Sequence, residues 1–273
     1  MRKRKKNKLS LPDDTIRVIT TGFYRQYDIL HTISKTRFET KMLDVSEILG
    51  EDFEKKKRGK ESVPVEIVLQ QGHMNDFMNA EETKMIKGVH KIGILNVGSN
   101  QSLAGGFLSG VSTREGSLAV CSTLYASLRE LRDFYKSERA RGDDGWATDK
   151  LIYSPSVMHM RNHEWELIKP TETDVFTVFL PNTRILHKRG VFNREEVVRI
   201  VKERLVAALM LSSKQKVHTI VMSEGYRDFG YTRDEFVSYL EEVLETYSHL
   251  FKGIQKIVIM TEKDRKKRQK NPQ

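Results

Sequence analysis

A chain of 273 residues, 38% apolar and 31% charged, can build one large core or two small ones, provided part of it stays outside them. Its single cysteine, Cys121, excludes an intramolecular disulfide and points to a reducing setting inside the cell, cytoplasmic or nuclear, and no apolar stretch is long enough to span a membrane. The formal net charge of +10 sits at the two ends: Met1–Ser10 holds six basic groups and no acid, Lys263–Lys270 holds six basic groups and the single acid Asp264, and the rest carries 35 basic against 36 acidic side chains.

In chain order, residues 1–10 form a basic tail. No apolar h-region follows it, so a secretory signal is not expected. Residues 11–60 form a polar helical extension, with Asp13 and Asp14 capping a helix over Thr15–Leu30 and a charged loop over Glu51–Glu61. The main domain covers 61–262. Pro64 opens a strand carried by Val65–Leu69, a position where proline is tolerated, and Asn79–Lys87 is helical. Lys91–Val97 has the apolar run of a buried strand, and Leu118–Tyr135 repeats apolar residues at helical spacing. Ser137–Asp149 contains a Gly-Asp-Asp-Gly turn and reads as a loop. Leu151–Tyr153 and Val175–Leu180 are strands, Asn193–Ser213 is a strong helix, Thr219–Met222 a strand, Arg233–Leu250 a helix and Lys256–Met260 the last strand. Residues 263–273 form the second basic tail. Strands alternating with long helices predict an α/β fold with a parallel or mixed sheet covered on both faces, and no internal repeat is visible.

The tails have two readings. Runs of like charge stay solvated and can serve only as disordered, solubilising ends. They can also act as a nuclear-targeting signal or grip a polyanion, such as poly(ADP-ribose), RNA or DNA, by neutralising phosphates and releasing counterions.

In sheets of this type ligands sit beyond the carboxyl ends of the strands. Two segments lie there, one after Lys91–Val97 and one after Thr219–Met222. The first, Asn96–Phe107, ends in Gly105-Gly106-Phe107 and leads within a short gap into a helix. Gly105 and Gly106 let backbone N–H groups come close to a ligand's oxygen atoms, and a helix N-terminus favours negative charge, so the loop can cradle a pyrophosphate. A tight turn is the plain alternative.

The surroundings are more specific. Leu95-Asn96, Gly105-Gly106-Phe107, Arg114-Glu115-Gly116 and Ser122-Thr123-Leu124-Tyr125 follow one another in the order and spacing of the microbial-type poly(ADP-ribose) glycohydrolases, a branch of the macrodomain superfamily. Further on, Ile152-Tyr153-Ser154-Pro155 and Leu180-Pro181-Asn182 resemble family elements, and Ile220–Phe229 stands where the family has a second glycine loop closed by an aromatic residue. The resemblance runs over roughly 60–262 and, weakly, into the N-terminal extension. It implies a macrodomain-like mixed sheet flanked by helices on both faces, with ADP-ribose or its polymer as ligand and no metal. No cofactor is expected. Asn96, Gly105, Gly106, Phe107, Arg114, Gly225, Tyr226, Arg227 and Phe229 are the ligand-binding candidates it places in the two loops, and Glu115 is the catalytic candidate.

This sequence departs from the family at the chemistry. The family's Gln-Glu-Glu motif carries a glutamate that protonates the leaving ribose oxygen and then activates water, general acid–base work at a glycosidic bond. Aligned on Ser122-Thr123-Leu124-Tyr125, that glutamate falls on Gly116, which transfers no proton; Leu118 supports this register. Counted from Gly106, the motif falls on Thr113-Arg114-Glu115 and Glu115 keeps the role. Glu115 as a plain helix-start acid is a third reading. Ala104 and Leu103 replace the family's first loop glycine and its proline. Arg227 stands where the second loop usually has glycine, and it can either reach a phosphate as a bidentate donor or block the site; Arg114 poses the same choice.

Elsewhere, His159 and His163 have a spacing two metal ligands could use, but no third ligand is evident. Cys121 falls on the apolar side of its helix and reads as core. Three functions follow: an ADP-ribose-binding module whose hydrolysis is weak or lost, an active ADP-ribosyl glycohydrolase using Glu115, and a basic nucleic-acid-binding or assembly protein using the fold as scaffold.

Overall fold

The computed structural model describes residues 10–51, 53, 64–78, 80, 91–110 and 113–262. Both basic tails apart from Ser10, the helix expected over Asn79–Lys87 apart from Ala80, and most of the charged stretch Glu51–Glu61 lie outside the described residues. Two strands, β1 (Phe23–Tyr24) and β2 (Tyr27–Asp28), form a small hairpin. Seven others form one sheet: β3 (Lys41–Asp44), β4 (Glu66–Gln71), β5 (Ile92–Gly98), β6 (Lys150–Arg161), β7 (Leu167–Phe179), β8 (Thr219–Ser223) and β9 (Lys256–Thr261). Their order is β3-β6-β7-β5-β8-β9-β4. The first three are antiparallel neighbours and the remaining pairings are parallel, so the sheet is mixed.

The helices are α1 (Leu11–Thr21), α2 (Leu30–Glu39), α3 (Val45–Leu49), α4 (Met74–Phe77), α5 (Arg114–Cys121), α6 (Leu124–Glu130), α7 (Arg132–Arg141), α8 (Thr183–Lys188), α9 (Arg194–Lys214) and α10 (Arg233–Tyr247). Two apolar cores lie on opposite faces of the sheet. One gathers residues of α3, α9 and α10, such as Leu49, Leu205 and Leu240. The other gathers α1, α2, α5, α6 and α7, such as Val18, Ile33, Leu118, Leu128 and Tyr135. Central β5 is buried along its whole length, as a strand covered on both faces must be.

The long C-terminal helices form close to their expected bounds, each with a side-chain cap. Asn193 caps α9 by accepting from Glu196 N, and Thr232 and Glu235 make a capping box at the start of α10. Other elements differ from expectation. The N-terminal helix ends at Thr21 because Gly22 takes a left-handed conformation and turns the chain into the hairpin. Residues 41–44 then add one of the sheet's two edge strands among those described, too short to stand out in the sequence. The helix expected over Leu118–Tyr135 breaks twice. At the first break, Thr123 N donates to Met158 O at 2.9 Å and Thr123 Oγ1 accepts from Met158 N at 2.9 Å, tying the chain to β6 instead of to a helical turn. The helical path resumes through α7 to Arg141, so the loop expected from Ser137 begins only at Gly142. Strand β6 runs on past Tyr153 because Pro155 falls in a β-bulge between Ser154 and Val157, with Ser156 at φ 53.

Candidate functional site

Adjacent parallel strands β5 and β8 release their chains at the same edge of the sheet, which sets the two expected loops side by side. The first loop passes through a short 3-10 segment, Leu103–Ser109, in which Ala104, Gly105 and Gly106 are all left-handed, with φ of 51, 61 and 73. Ala104 carries a Cβ in that conformation, at a cost of about 1–2 kcal/mol that glycine avoids. Gly105 must be glycine twice over: its φ is positive, and an added Cβ would lie 2.2 Å from Thr113 Oγ1.

Thr113 ties loop to helix. Its hydroxyl donates to Gly105 O at 3.0 Å and accepts from Gly116 N at 2.9 Å, capping α5. Glu115 follows on the first turn and points inward, 3% exposed. Its Oε1 accepts from Asn96 Nδ2 at 3.2 Å and its Oε2 from Ser99 N at 3.0 Å. Asn96 also donates to Thr177 Oγ1 on β7 at 3.1 Å. Gly98 leaves room for this carboxyl, since a Cβ there would stand 2.6 Å from Glu115 Oε1. Burial pushes the Glu115 carboxyl up to about 7, with the Asp228 charge adding to the rise. The Ser99 and Gly105 backbone and the Asn96 amide pull the other way without cancelling it.

The second loop holds a 3-10 segment, Gly225–Phe229, anchored from α8: Arg184 Nη2 donates to Arg227 O at 2.8 Å and Thr183 Oγ1 to Phe229 O at 3.1 Å. Glu224, 1% exposed, accepts from Arg233 Nε at 2.7 Å, from Arg227 Nη1 at 3.2 Å and from Glu262 N at 3.3 Å. Although burial alone would raise its pKa, these donors hold the carboxyl below the usual range. Arg114, at the start of α5, reaches across to the second loop and pairs with Asp228 at 2.6 Å.

The structure therefore joins Arg114 of α5 to Asp228 of the second loop, and gathers Asn96 and Ser99 round Glu115 and Gly105 on Thr113. Gly106 continues the left-handed run. Gly225 packs closely on Val97 of β5. Two aromatic candidates face inward instead: Phe107 is 2% exposed with its ring edge to Tyr125, and Tyr226 is fully buried, stacked on Phe236 at 4.1 Å. Phe229 is partly buried against the apolar core of that face. Sequence reading missed the acids Asp228 and Glu224 and the donor Ser99. Two acids flanking Arg227 were the available signal for the first two.

Elsewhere, His159 is buried within β6, its Nε2 2.8 Å from Thr173 Oγ1, whereas His163 lies beyond the strand's end, stacked on His73 and paired with Asp76. Cys121 is buried at the end of α5, where desolvation pushes its thiol up to about 12. Among the described residues no helix is long and apolar enough to cross a membrane.

A family model described as microbial-type PARG (poly(ADP-ribose) glycohydrolase), catalytic domain, matches residues 12–162. The fold is similar to that of poly(ADP-ribose) glycohydrolase from Thermomonospora curvata, at TM-score 0.78 and 23% identity over 92% of this chain and 91% of that one. The same enzyme bound to the inhibitor ADP-HPD matches at TM-score 0.78 and 21% identity, over the same shares of the two chains. The poly(ADP-ribose) glycohydrolase of Deinococcus radiodurans in complex with ADP-ribose matches at TM-score 0.67 and 21% identity, over 86% of this chain and 91% of that one. No curated protein matches the sequence.

Proposed function

Because the chain belongs to the microbial-type PARG catalytic-domain family, we propose that it binds ADP-ribose between its two loops and that its glycohydrolase activity is weak or lost. One observation carries this reading. The only acid on the first turn of α5 is Glu115, and it is sealed inside, with Asn96 Nδ2 on one oxygen and Ser99 N on the other, while the next position is Gly116. Such a carboxyl fixes the shape of the glycine loop. A general acid must instead reach the leaving oxygen. The loop it fixes supplies the left-handed backbone that lets N–H groups approach a pyrophosphate.

A second reading has its own support. A carboxyl raised to about 7 is poised for acid–base work near neutral pH, and a turn of the Glu115 side chain would make this an active glycohydrolase. Titration of ADP-ribose by calorimetry, with an assay of ADP-ribose release from polymer, separates the two. Binding without release is the expected result. Release that is abolished in Glu115→Gln would establish the active enzyme, and absence of binding would leave the fold as scaffold for a basic protein gripping nucleic acid.

A further inference from the structure

We propose that Asp228 and Arg114 form a displaceable latch between the two loops, in which Asp228 is the chain's own anion and must give way before the phosphate of a ligand can reach Arg114. The inference rests on the reading that ADP-ribose binds between these loops, and it names what selects the ligand there.

Asp228 takes two donors of one residue at once. Oδ1 lies 2.6 Å from Arg114 Nη1, and Oδ2 accepts from Arg114 N at 3.2 Å. This is the paired contact that a phosphate would make with an arginine and an adjacent backbone N–H. A weaker contact, 3.5 Å, joins Arg114 Nη2 to Glu262. The Arg114 and Asp228 side chains are 22% and 30% exposed, so solvent and ligand reach the pair.

The neighbouring Arg227 is held differently. Its acid, Glu224, has a fully buried side chain and is shared with Arg233, so it cannot swing out to make room. Asp228 can: its backbone is fixed by Arg184 Nη1 donating to Asp228 O at 3.3 Å, while its carboxylate projects to the partly exposed pair. A rotation of one side chain then opens the latch without moving the loop.

A partly exposed ion pair is worth little enough for a ligand to replace it. The pyrophosphate of ADP-ribose carries two negative charges against the carboxylate's one and matches the guanidinium fork equally well, whereas a neutral nucleoside or sugar offers nothing in exchange. The latch therefore selects phosphate-bearing ligands and weakens all of them by the cost of displacing Asp228.

Calorimetry with two probes, ADP-ribose and inorganic pyrophosphate, tests this on the full chain as wild type, Asp228→Asn, Arg114→Gln and the double variant, each checked for folding by circular dichroism. Asp228→Asn should tighten both probes by roughly tenfold, and the gain should vanish in the Arg114→Gln background. Tightening of pyrophosphate alone upholds the latch and removes ADP-ribose as ligand. ADP-ribose binding with neither probe tightened by Asp228→Asn overturns the latch and leaves the binding reading standing. Failure of both probes to bind any folded variant overturns both. Should Asp228→Asn not fold, Asp228→Ser carries the same expectations.

Discussion

At the scale of single residues, Glu115 links the site to stability. In the unfolded chain its carboxyl has the ordinary value of 4.5, and in the folded chain about 7. Below 4.5 both states are protonated and the contribution to stability is whole. Between 4.5 and about 7 the unfolded state ionises while the folded state keeps its proton, so folding loses about 1.4 kcal/mol per pH unit from this group. Above that range the loss is complete and constant. Glu115→Gln has no such slope. Urea denaturation across pH 4.5–8 should therefore show wild type losing stability relative to Glu115→Gln up to about pH 7 and levelling beyond it; a pH-independent difference would show that burial does not hold the proton. Glu115 was legible through the resemblance of its surroundings to the family's Gln-Glu-Glu motif. Its environment was not, because Ser99 and Asn96 are brought against it only when α5 folds back onto the end of β5.

Among the elements, α5 and the first loop stand or fall together, since one hydroxyl joins them. Thr113→Ala removes both the α5 cap and the bond to Gly105 O, and should cost about 1–2 kcal/mol in chemical denaturation. Thr113→Ser keeps both bonds and should stay close to wild type; an equal loss in the two variants would point to the lost methyl group instead. The elements that local chemistry specifies were readable in advance. Asn193 and Thr232 begin α9 and α10 near where the sequence places them, and Val175–Leu180 marks the buried end of β7. What escaped was decided at a distance. The break at Ser122 and Thr123 answers to Met158 and His159 on β6, and Pro155, which locally reads as a stop, is absorbed by a bulge against β7. Edge strand β3 is only four residues long, too short to show a pattern, and its pairing with β6 is what places it in the sheet.

For the whole molecule, a grip by the basic ends and binding at the loop site would be separable by experiment. The main body is close to neutral, and the excess charge lies in Met1–Ser10 and Lys263–Lys270. If those ends grip polymer, affinity for poly(ADP-ribose) or nucleic acid should fall steeply as salt rises, and the slope should flatten in a chain trimmed to residues 10–262, while affinity for monomeric ADP-ribose stays the same. An unchanged slope after trimming would leave the tails as solubilising ends. The sheet order has one more consequence, in time. Strand β4 precedes most of the sheet in sequence, yet its only partner among the described strands is β9, with Glu66 beside Lys256. That pairing spans nearly the whole domain, so β4 waits for the last strand to arrive. Contacts of such sequence separation close slowly, so the β4–β9 ladder is among the last of the described pairings to form.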